Sequence, residues 1–348
     1  MKAITYHGPK DFRVEHVPDA RRQADTDAVV RVSRAAICGS DLHLWHGATP
    51  IAETGFVVGH EFVGVVEDVG PGVRSIRRGD RVLVSALVGC GNCSFCRGGL
   101  WSGCTTLGTG QNVFGFSRAL PGGQAEAVRV PFADTNLFHI PKDLSDEQAL
   151  FLTDILPTGY MGAEIAEVGP GDLVVVLGSG PVGAFAQRAA QLRGAARVIA
   201  VDLDEGRLAR ARERGCDTVN PRTDDLAARV AQVSGGRGAD AVIEAVGSGD
   251  LLLKAIDVAR IGGRIAAIGV ISKPIELPFL ALFIKNLSLR SGLVNPQRYV
   301  PLLVPLIQAG RIDPTEIISH RMPLAEGVHG YEIFASHAEN ALKVVLQP

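Results

Sequence analysis

The chain has 348 residues, 46% of them apolar, enough for two domains that each close a core. Its net charge of −2 argues against a nucleic-acid partner or an anionic membrane surface. No apolar run reaches the ~18 residues of a membrane span and no signal-peptide core opens the chain, so the expected location is the cytoplasm. Thiols stay reduced there, and the six cysteines point to metal rather than disulfides.

Short strands are predicted at Lys2–Tyr6, Phe12–Val14, Ala28–Ser33, Val58–Gly70, Arg81–Val84 and Glu126–Val130, separated by turns such as Gly79-Asp80 and Pro121-Gly-Gly. Short strands with frequent glycine turns suggest an irregular, partly closed β-barrel. Two stretches between them carry chemistry-bearing side chains: Cys38-Gly-Ser40-Asp41-Leu-His43 and Gly59-His60-Glu61. Read alone, a cysteine and a histidine in such places are more often core residues than ligands.

Cys90, Cys93, Cys96 and Cys104 follow as C-x2-C-x2-C-x7-C, in a loop with enough glycine to fold around a point. Four thiolates close a tetrahedron and leave no open position, so the reading is a structural zinc in a lobe over about residues 88–106. An iron–sulfur cluster satisfies the ligand count, but the usual ferredoxin spacings are missing. Cys216, between a helix and a strand further on, reads as a small packing residue.

Gly169-Pro-Gly-Asp172 then launches a buried strand, Leu173–Leu177, followed at once by Gly178-Ser-Gly180-Pro181-Val182-Gly183 and an alanine-rich helix. This is a dinucleotide loop. Gly178 permits the turn, Gly180 lets the backbone approach a pyrophosphate with Pro181 and Val182 beside it, and Gly183 allows helix and strand to pack closely. The helix N-terminus offers N–H groups to phosphate. A second strand ends on Asp202, nineteen positions after Gly183, where a carboxylate can bond both hydroxyls of an adenosine ribose and repel a ribose phosphate. NAD is the expected cofactor. Helices at 205–214, 224–233 and 250–260 alternate with strands near Thr218 and at 241–246, 264–269 and 287–292. That rhythm predicts an α/β domain with a doubly wound parallel sheet. Val246, Gly269, Val270 and Leu293 fall at strand C-terminal ends and are expected to flank the nicotinamide. A helix is predicted over 298–309 despite Pro301 and Pro305. The sheet edge near 287–293 makes a homodimer or homotetramer the expectation.

Together these motifs resemble the zinc-dependent medium-chain alcohol dehydrogenases. The match runs in family order through Cys38-Gly-Ser40-Asp-Leu-His43, Gly59-His60-Glu61-Phe-Val-Gly, the four-cysteine lobe, Gly123-Gln-Ala-Glu, Thr158-Gly159 and the Gly178–Asp202 fingerprint. The resemblance implies a GroES-like catalytic domain at 1–155 and 291–348 around a Rossmann NAD-binding domain at 156–290, with two zinc ions per chain. It implies that Cys38 and His60 hold a catalytic zinc, with Asp154 where relatives often place cysteine. Asp154-Ile-Leu-Pro-Thr-Gly is most similar to the glutathione-independent formaldehyde dehydrogenase branch, although this chain is shorter than those enzymes. Lys343 resembles the family position whose cation reaches the cofactor pyrophosphate.

The implied reaction is reversible hydride transfer between an alcohol, or an aldehyde or ketone in reverse, and NAD. Ser40 would take the substrate proton, His43 would pass it to solvent, and Asp41 would orient His60. Glu61 would approach the zinc or form a buried ion pair. Ala86 leaves space near the site, and Trp45, His46 and Trp101 are candidate pocket walls. The alternatives are a polyol or threonine-type dehydrogenase and, from a different class, a non-catalytic NAD- and zinc-binding protein.

Overall fold

A computed structural model describes residues 1–49, 53–108 and 112–348. The chain divides into two compact units, Met1–Pro157 with Val294–Pro348, and Thr158–Leu293. Both junctions lie two or three residues from those expected, and the first falls inside the helix Ile155–Ile165.

The first unit is built on β-sheets. A three-stranded antiparallel sheet places Lys2–Gly8 between Asp11–His16 and Phe56–Val57. A seven-stranded sheet runs His320–Pro323, Val344–Gln347, Ala28–Ile37, Glu61–Val69, Arg81–Val84 and Leu137–His139, with Ala127–Val130 also paired to Ala28–Ile37. Ala28–Ile37 is the organising strand. Bulges between Val29 and Val30 and between Val32 and Arg34 shift its register, and its last three residues are all buried. Such bulges re-aim side chains near sites. Ile4, Val30, Phe62, Val82, Phe114 and Tyr331 lie in one continuous core.

The register explains why distant motifs meet. Ala36 stands opposite Glu61, and Ile37 stands opposite Val344. The exit of one strand, the entry of its antiparallel neighbour and the start of a third therefore share one edge. Cys38, His60 and Lys343 sit at those three ends.

The second unit is a six-stranded sheet, parallel throughout. Its order is Asp217–Val219, Arg197–Val201, Leu173–Leu177, Ala239–Glu244, Ala259–Ala267 and Ser288–Ser291. In sequence order that is 3-2-1-4-5-6, the doubly wound arrangement with a crevice where the order reverses. Leu173–Leu177 is buried at every position, as a run of β-branched and leucine residues covered on both faces should be. The fifth strand begins at Ala259, five residues before the predicted start, because the backbone extends straight out of the helix Gly249–Val258. A short helix, Phe279–Ile284, was not expected. The helix predicted over 298–309 spans Pro296–Gln308, in the first unit, with both internal prolines accommodated.

No helix of the described residues is long and apolar enough to cross a membrane.

Candidate functional site

At the shared edge of the first unit, one ligand atom each from Cys38, His60, Glu61 and Asp154 lies within 4.8 Å of the others. Asp154 comes from the segment after the 3-10 turn Phe151–Thr153, which is held by the Ala86 N–H to Thr153 carbonyl bond of 3.0 Å. Its Oδ2 is 3.3 Å from His60 Nε2 and 3.8 Å from Cys38 Sγ. Ser40 Oγ stands between the ligands, 3.3 Å from Cys38 Sγ and 3.2 Å from His60 Nε2. On the far side of the imidazole, His60 Nδ1 is 3.1 Å from Asp41 Oδ1, while Asp41 Oδ2 accepts the Cys38 N–H at 3.0 Å.

Cys38, Asp41, His60 and Glu61 are all buried. Burial pushes the Cys38 thiol and the Glu61 carboxyl up. Burial opposes charge on His60, but Asp41 and Cys38 outweigh it and hold the imidazole well above its usual range. Burial thus disfavours the charged forms of Cys38 and Glu61, a cost that a bound cation would offset. Sulfur, imidazole and carboxylate donors that converge within 4.8 Å of one another are a donor set that fits a zinc ion.

Lys343 departs from expectation. Its ammonium is 1% exposed and lies 2.5 Å from Glu61 Oε2, so it is neither solvated nor presented to a pyrophosphate; it forms a buried ion pair. The strand register puts it there: Val344 pairs with Ile37, one residue before Cys38. The aromatic pocket walls are corrected too. Trp45 is core, stacked on Tyr331 at 5.8 Å and edge-on to Phe12 at 5.3 Å. Trp101 packs in the cysteine lobe, where a Cβ on Gly89 would meet its ring at 2.4 Å. His46 is exposed at the end of the helix Asp41–Trp45. The ring that does approach the metal cluster is Phe116, 5.8 Å from His60, which no sequence periodicity marked. Ala86 is fully buried against the Asp154 segment. His43 is partly buried on the same short helix as Asp41; burial, then His46, hold its pKa below the usual imidazole value.

The four cysteines of the lobe also converge. Cys90 and Cys96 sulfurs are 4.0 Å apart, as are those of Cys93 and Cys104. Backbone N–H groups of Cys90, Asn92, Cys93 and Cys96 point at sulfur at 3.3–3.4 Å. Burial acts to raise the Cys90 thiol, but bonds from Thr106 and the backbone outweigh it and bring it to about 6. Burial pushes Cys96 up to about 12. N–H donors aimed at sulfur favour thiolates, and the donor set fits a closed zinc tetrahedron. The fully buried Asn136 ties the lobe down, taking the Gly89 N–H and donating to its carbonyl, both at 2.9 Å.

The second unit carries the dinucleotide loop. Gly178 has φ +97°, and a Cβ on Gly183 would sit 1.9 Å from the Gly178 carbonyl, so both positions demand glycine. Gly180 caps the helix Pro181–Leu192 without a side-chain acceptor, leaving first-turn N–H groups for a ligand. A Cβ there would meet nothing closer than Arg207 Nη1 at 3.8 Å, which leaves room for a phosphate. Asp202 is held in place by the N–H groups of Ser179 at 2.8 Å and Asp204 at 3.0 Å, with Arg207 Nη1 3.7 Å away. Val246 and Val270 are about half exposed where two neighbouring strands end, and a Cβ on Gly269 would strike the Gly247 nitrogen at 2.0 Å. Leu293 is half exposed two residues past Ser288–Ser291. Sequence reading passed over Glu244. This buried carboxylate, its pKa raised by burial, accepts the N–H groups of Val246 and Gly247 at 2.9 and 2.8 Å and so shapes that turn. An acid at the C-terminal end of the strand Ala239–Glu244, the end at which ligands approach such a sheet, was the available signal.

Comparison with known proteins matches residues 24–142 to the alcohol dehydrogenase GroES-like domain and residues 181–309 to the zinc-binding dehydrogenase domain. The chain is 38% identical over its whole length to the uncharacterized zinc-type alcohol dehydrogenase-like protein AdhB of Bacillus subtilis, all of which is covered. It is also 38% identical, over 71% of its length and 65% of the other chain, to the glutathione-independent formaldehyde dehydrogenase of Pseudomonas aeruginosa. Among solved structures, the alcohol dehydrogenase TADH from Thermus sp. ATN1 superposes with a TM-score of 0.93 at 39% identity, covering 100% of this chain and 99% of that one.

Proposed function

We propose a specific site and cofactor for this chain, which belongs to the zinc-dependent medium-chain alcohol dehydrogenase family and is an alcohol oxidoreductase using zinc and a nicotinamide cofactor. In this reading Cys38, His60 and Asp154 hold a catalytic zinc, Cys90, Cys93, Cys96 and Cys104 hold a structural one, and NAD is the cofactor. Zinc held by these residues would supply Lewis acidity toward an alcohol oxygen, and a nicotinamide would supply the hydride chemistry.

The chain's own residues manage position and protons. Asp41 fixes the His60 ring through Nδ1, which leaves Nε2 facing the other ligands. Ser40 Oγ, within 3.3 Å of two ligand atoms, is placed to accept the substrate's hydroxyl proton. His43, neutral at pH 7, then accepts it and releases it to solvent. Glu61 and Lys343 cancel each other's charge behind the site. Val246, Gly269 and Val270 offer a smooth apolar and backbone surface for a nicotinamide ring, and Asp202 selects the free ribose diol.

The observation that carries this reading is the meeting of the buried Cys38 and His60 with the partly buried Ser40 and Asp154, from three separate segments, in one cluster. A non-catalytic zinc-binding protein has no use for Ser40 between the ligands. The polyol or threonine-type alternative is not favoured by the relatives above, and the formaldehyde dehydrogenase likeness supports a small alcohol or aldehyde substrate. The deciding experiment is a panel of alcohols and aldehydes assayed with NAD and NADP, alongside zinc analysis. About two zinc ions per chain and turnover of small alcohols with NAD are expected; one zinc and no turnover would defeat the reading.

The same reading takes the protein to be cytoplasmic, where the thiolates of a four-cysteine zinc site stay reduced, and without nucleic-acid or membrane partners. It is a homodimer or a dimer of dimers. Leu277, Phe279, Leu280, Phe283 and Ile284 present 39–74% of their surface beside the edge strand Ser288–Ser291, which supports self-association.

A further inference from the structure

Behind the ligand cluster a buried polar chain runs from the helix Gly327–Ser336 to His60. Tyr331 is fully buried and donates its hydroxyl to Gln124 Oε1 at 2.9 Å. Gln124, also fully buried, donates Nε2 to the Ala36 carbonyl at 3.1 Å and to Asp41 Oδ2 at 3.4 Å. Asp41 then reaches both ligand segments, through the Cys38 N–H at 3.0 Å and His60 Nδ1 at 3.1 Å.

The donors and acceptors leave this chain one polarity. The Gln124 amide nitrogen faces a carbonyl and a carboxylate, which accept only, so the amide cannot be reversed. Its oxygen then needs a donor, and the Tyr331 hydroxyl supplies it. Burial pushes the Tyr331 phenol well above its usual range, so that hydroxyl keeps its proton. Gln124 also lies flat against the residue before His60: Gly59 has φ +89°, and a Cβ there would meet Gln124 Cγ at 2.3 Å. One side chain thus touches the segments carrying both Cys38 and His60. The Tyr331 ring has a separate task, packing on Phe12 at 4.5 Å and Trp45 at 5.8 Å. The hydroxyl can therefore be removed while the packing stays.

We infer that Gln124 and Tyr331 are positioning residues for the metal centre, acting through Asp41 to hold the His60 ring and the Cys38 backbone in ligating register. The inference rests on the reading of Cys38, His60 and Asp154 as zinc ligands. Outer partners of metal ligands are worth about 10–100-fold in affinity or activity.

The test uses the full-length enzyme with its zinc, the variants Tyr331→Phe and Gln124→Glu, and three readouts: zinc content, the rate of zinc transfer to a chelator, and the visible spectrum after cobalt replaces the catalytic zinc. Gln124→Glu sets a carboxylate against the Asp41 carboxylate and the Ala36 carbonyl. Tyr331→Phe removes one oxygen, and decides the matter if the glutamate variant does not fold. Both variants are expected to release the catalytic zinc about tenfold faster than the parent, with shifted cobalt bands and the four-cysteine zinc retained. Parental release rates and spectra, even with a lowered unfolding temperature, would reduce both residues to packing and overturn the inference. A parent that binds only the four-cysteine zinc would overturn the site reading, and this inference with it.

Discussion

At Asp154 two roles compete for one side chain. It directly precedes the helix Ile155–Ile165, where aspartate is a favoured cap, and its Oδ2 lies 3.3 Å from His60 Nε2. Charge arithmetic favours the ligand. Zn²⁺ with one thiolate, one carboxylate and a neutral imidazole sums to zero, the same as with two thiolates and an imidazole. Asp154→Asn keeps a capping side chain but loses the anion. Metal analysis of that variant should find only the four-cysteine zinc, with turnover reduced by more than the ~100-fold that losing an outer partner costs. Asp154→Cys should retain both metals. At Asp202 the competition is between cofactors. The carboxylate is held by two backbone N–H groups, so NAD should be preferred over NADP by at least about tenfold in kcat/KM, or ~1.4 kcal/mol, and Asp202→Ser should narrow the gap. At His43 the issue is pH. Burial and then His46 depress its pKa, with Asp41 pulling the other way, so the imidazole is neutral above the ~6.5 of a free histidine. An acceptor of protons works only when neutral, so turnover should fall as pH drops through the His43 pKa. His43→Gln should be slower overall and should lose that acidic limb in a pH–rate profile.

At the scale of elements, the site depends on where strands begin and end, and that sets what the sequence could reveal. Cys38, His60 and the four cysteines stand in short motifs whose spacing survives without a structure. The doubly wound sheet was legible because buried strands, glycines and Asp202 recur at fixed intervals. Tyr331 and Gln124 were not legible as a pair: 207 residues separate them, and only the sheet pairings make them neighbours. Lys343 misled for a related reason. Its family position suggested a ligand for phosphate, but pairing of Val344 with Ile37 turns it toward Glu61. Trp45 and Trp101 were read as pocket walls because aromatic content does not say which face of an element is buried. The cysteine lobe offers the element-scale prediction. It contains a four-residue helix and a three-residue 3-10 turn, little core without metal. Cys93→Ser should therefore lower the unfolding temperature and raise protease cleavage near residues 90–104, while zinc bound by Cys38, His60 and Asp154 persists. An inactive Cys93→Ser protein as stable as the parent would show that the lobe has a chemical role.

For the whole molecule, the question is what covers the helix Phe279–Ile284. Phe279, Leu280, Phe283 and Ile284 expose 62–74% of their surface, and the helix has no buried residue. An apolar run in an α/β domain should turn one face inward; this one does so only through the partly buried Ala281 and Leu282. Each large side chain moved from water to a packed interface contributes ~1.5–3 kcal/mol, so four of them can outweigh a substantial part of the ~4–15 kcal/mol cost of immobilising a partner. The adjacent strand Ser288–Ser291 is the last in the sheet order among the described residues, and an edge strand is a template for pairing with another strand. A second copy of the chain, as proposed above, would supply both needs at once, because a two-fold axis would set the same helix and the same edge against themselves. Phe283→Asp should then place two carboxylates near that axis, where like charges repel, and split the assembly. Sedimentation at micromolar concentration should show the parent as a dimer or tetramer and the variant with half its mass or less. The variant should also unfold at a lower temperature, now independent of protein concentration, since mass action no longer supports the fold. Asp202 and the Cys38 cluster lie on other elements, so zinc content should match the parent's. A Phe283→Asp protein of parental mass would mean that this face is not where copies of the chain meet.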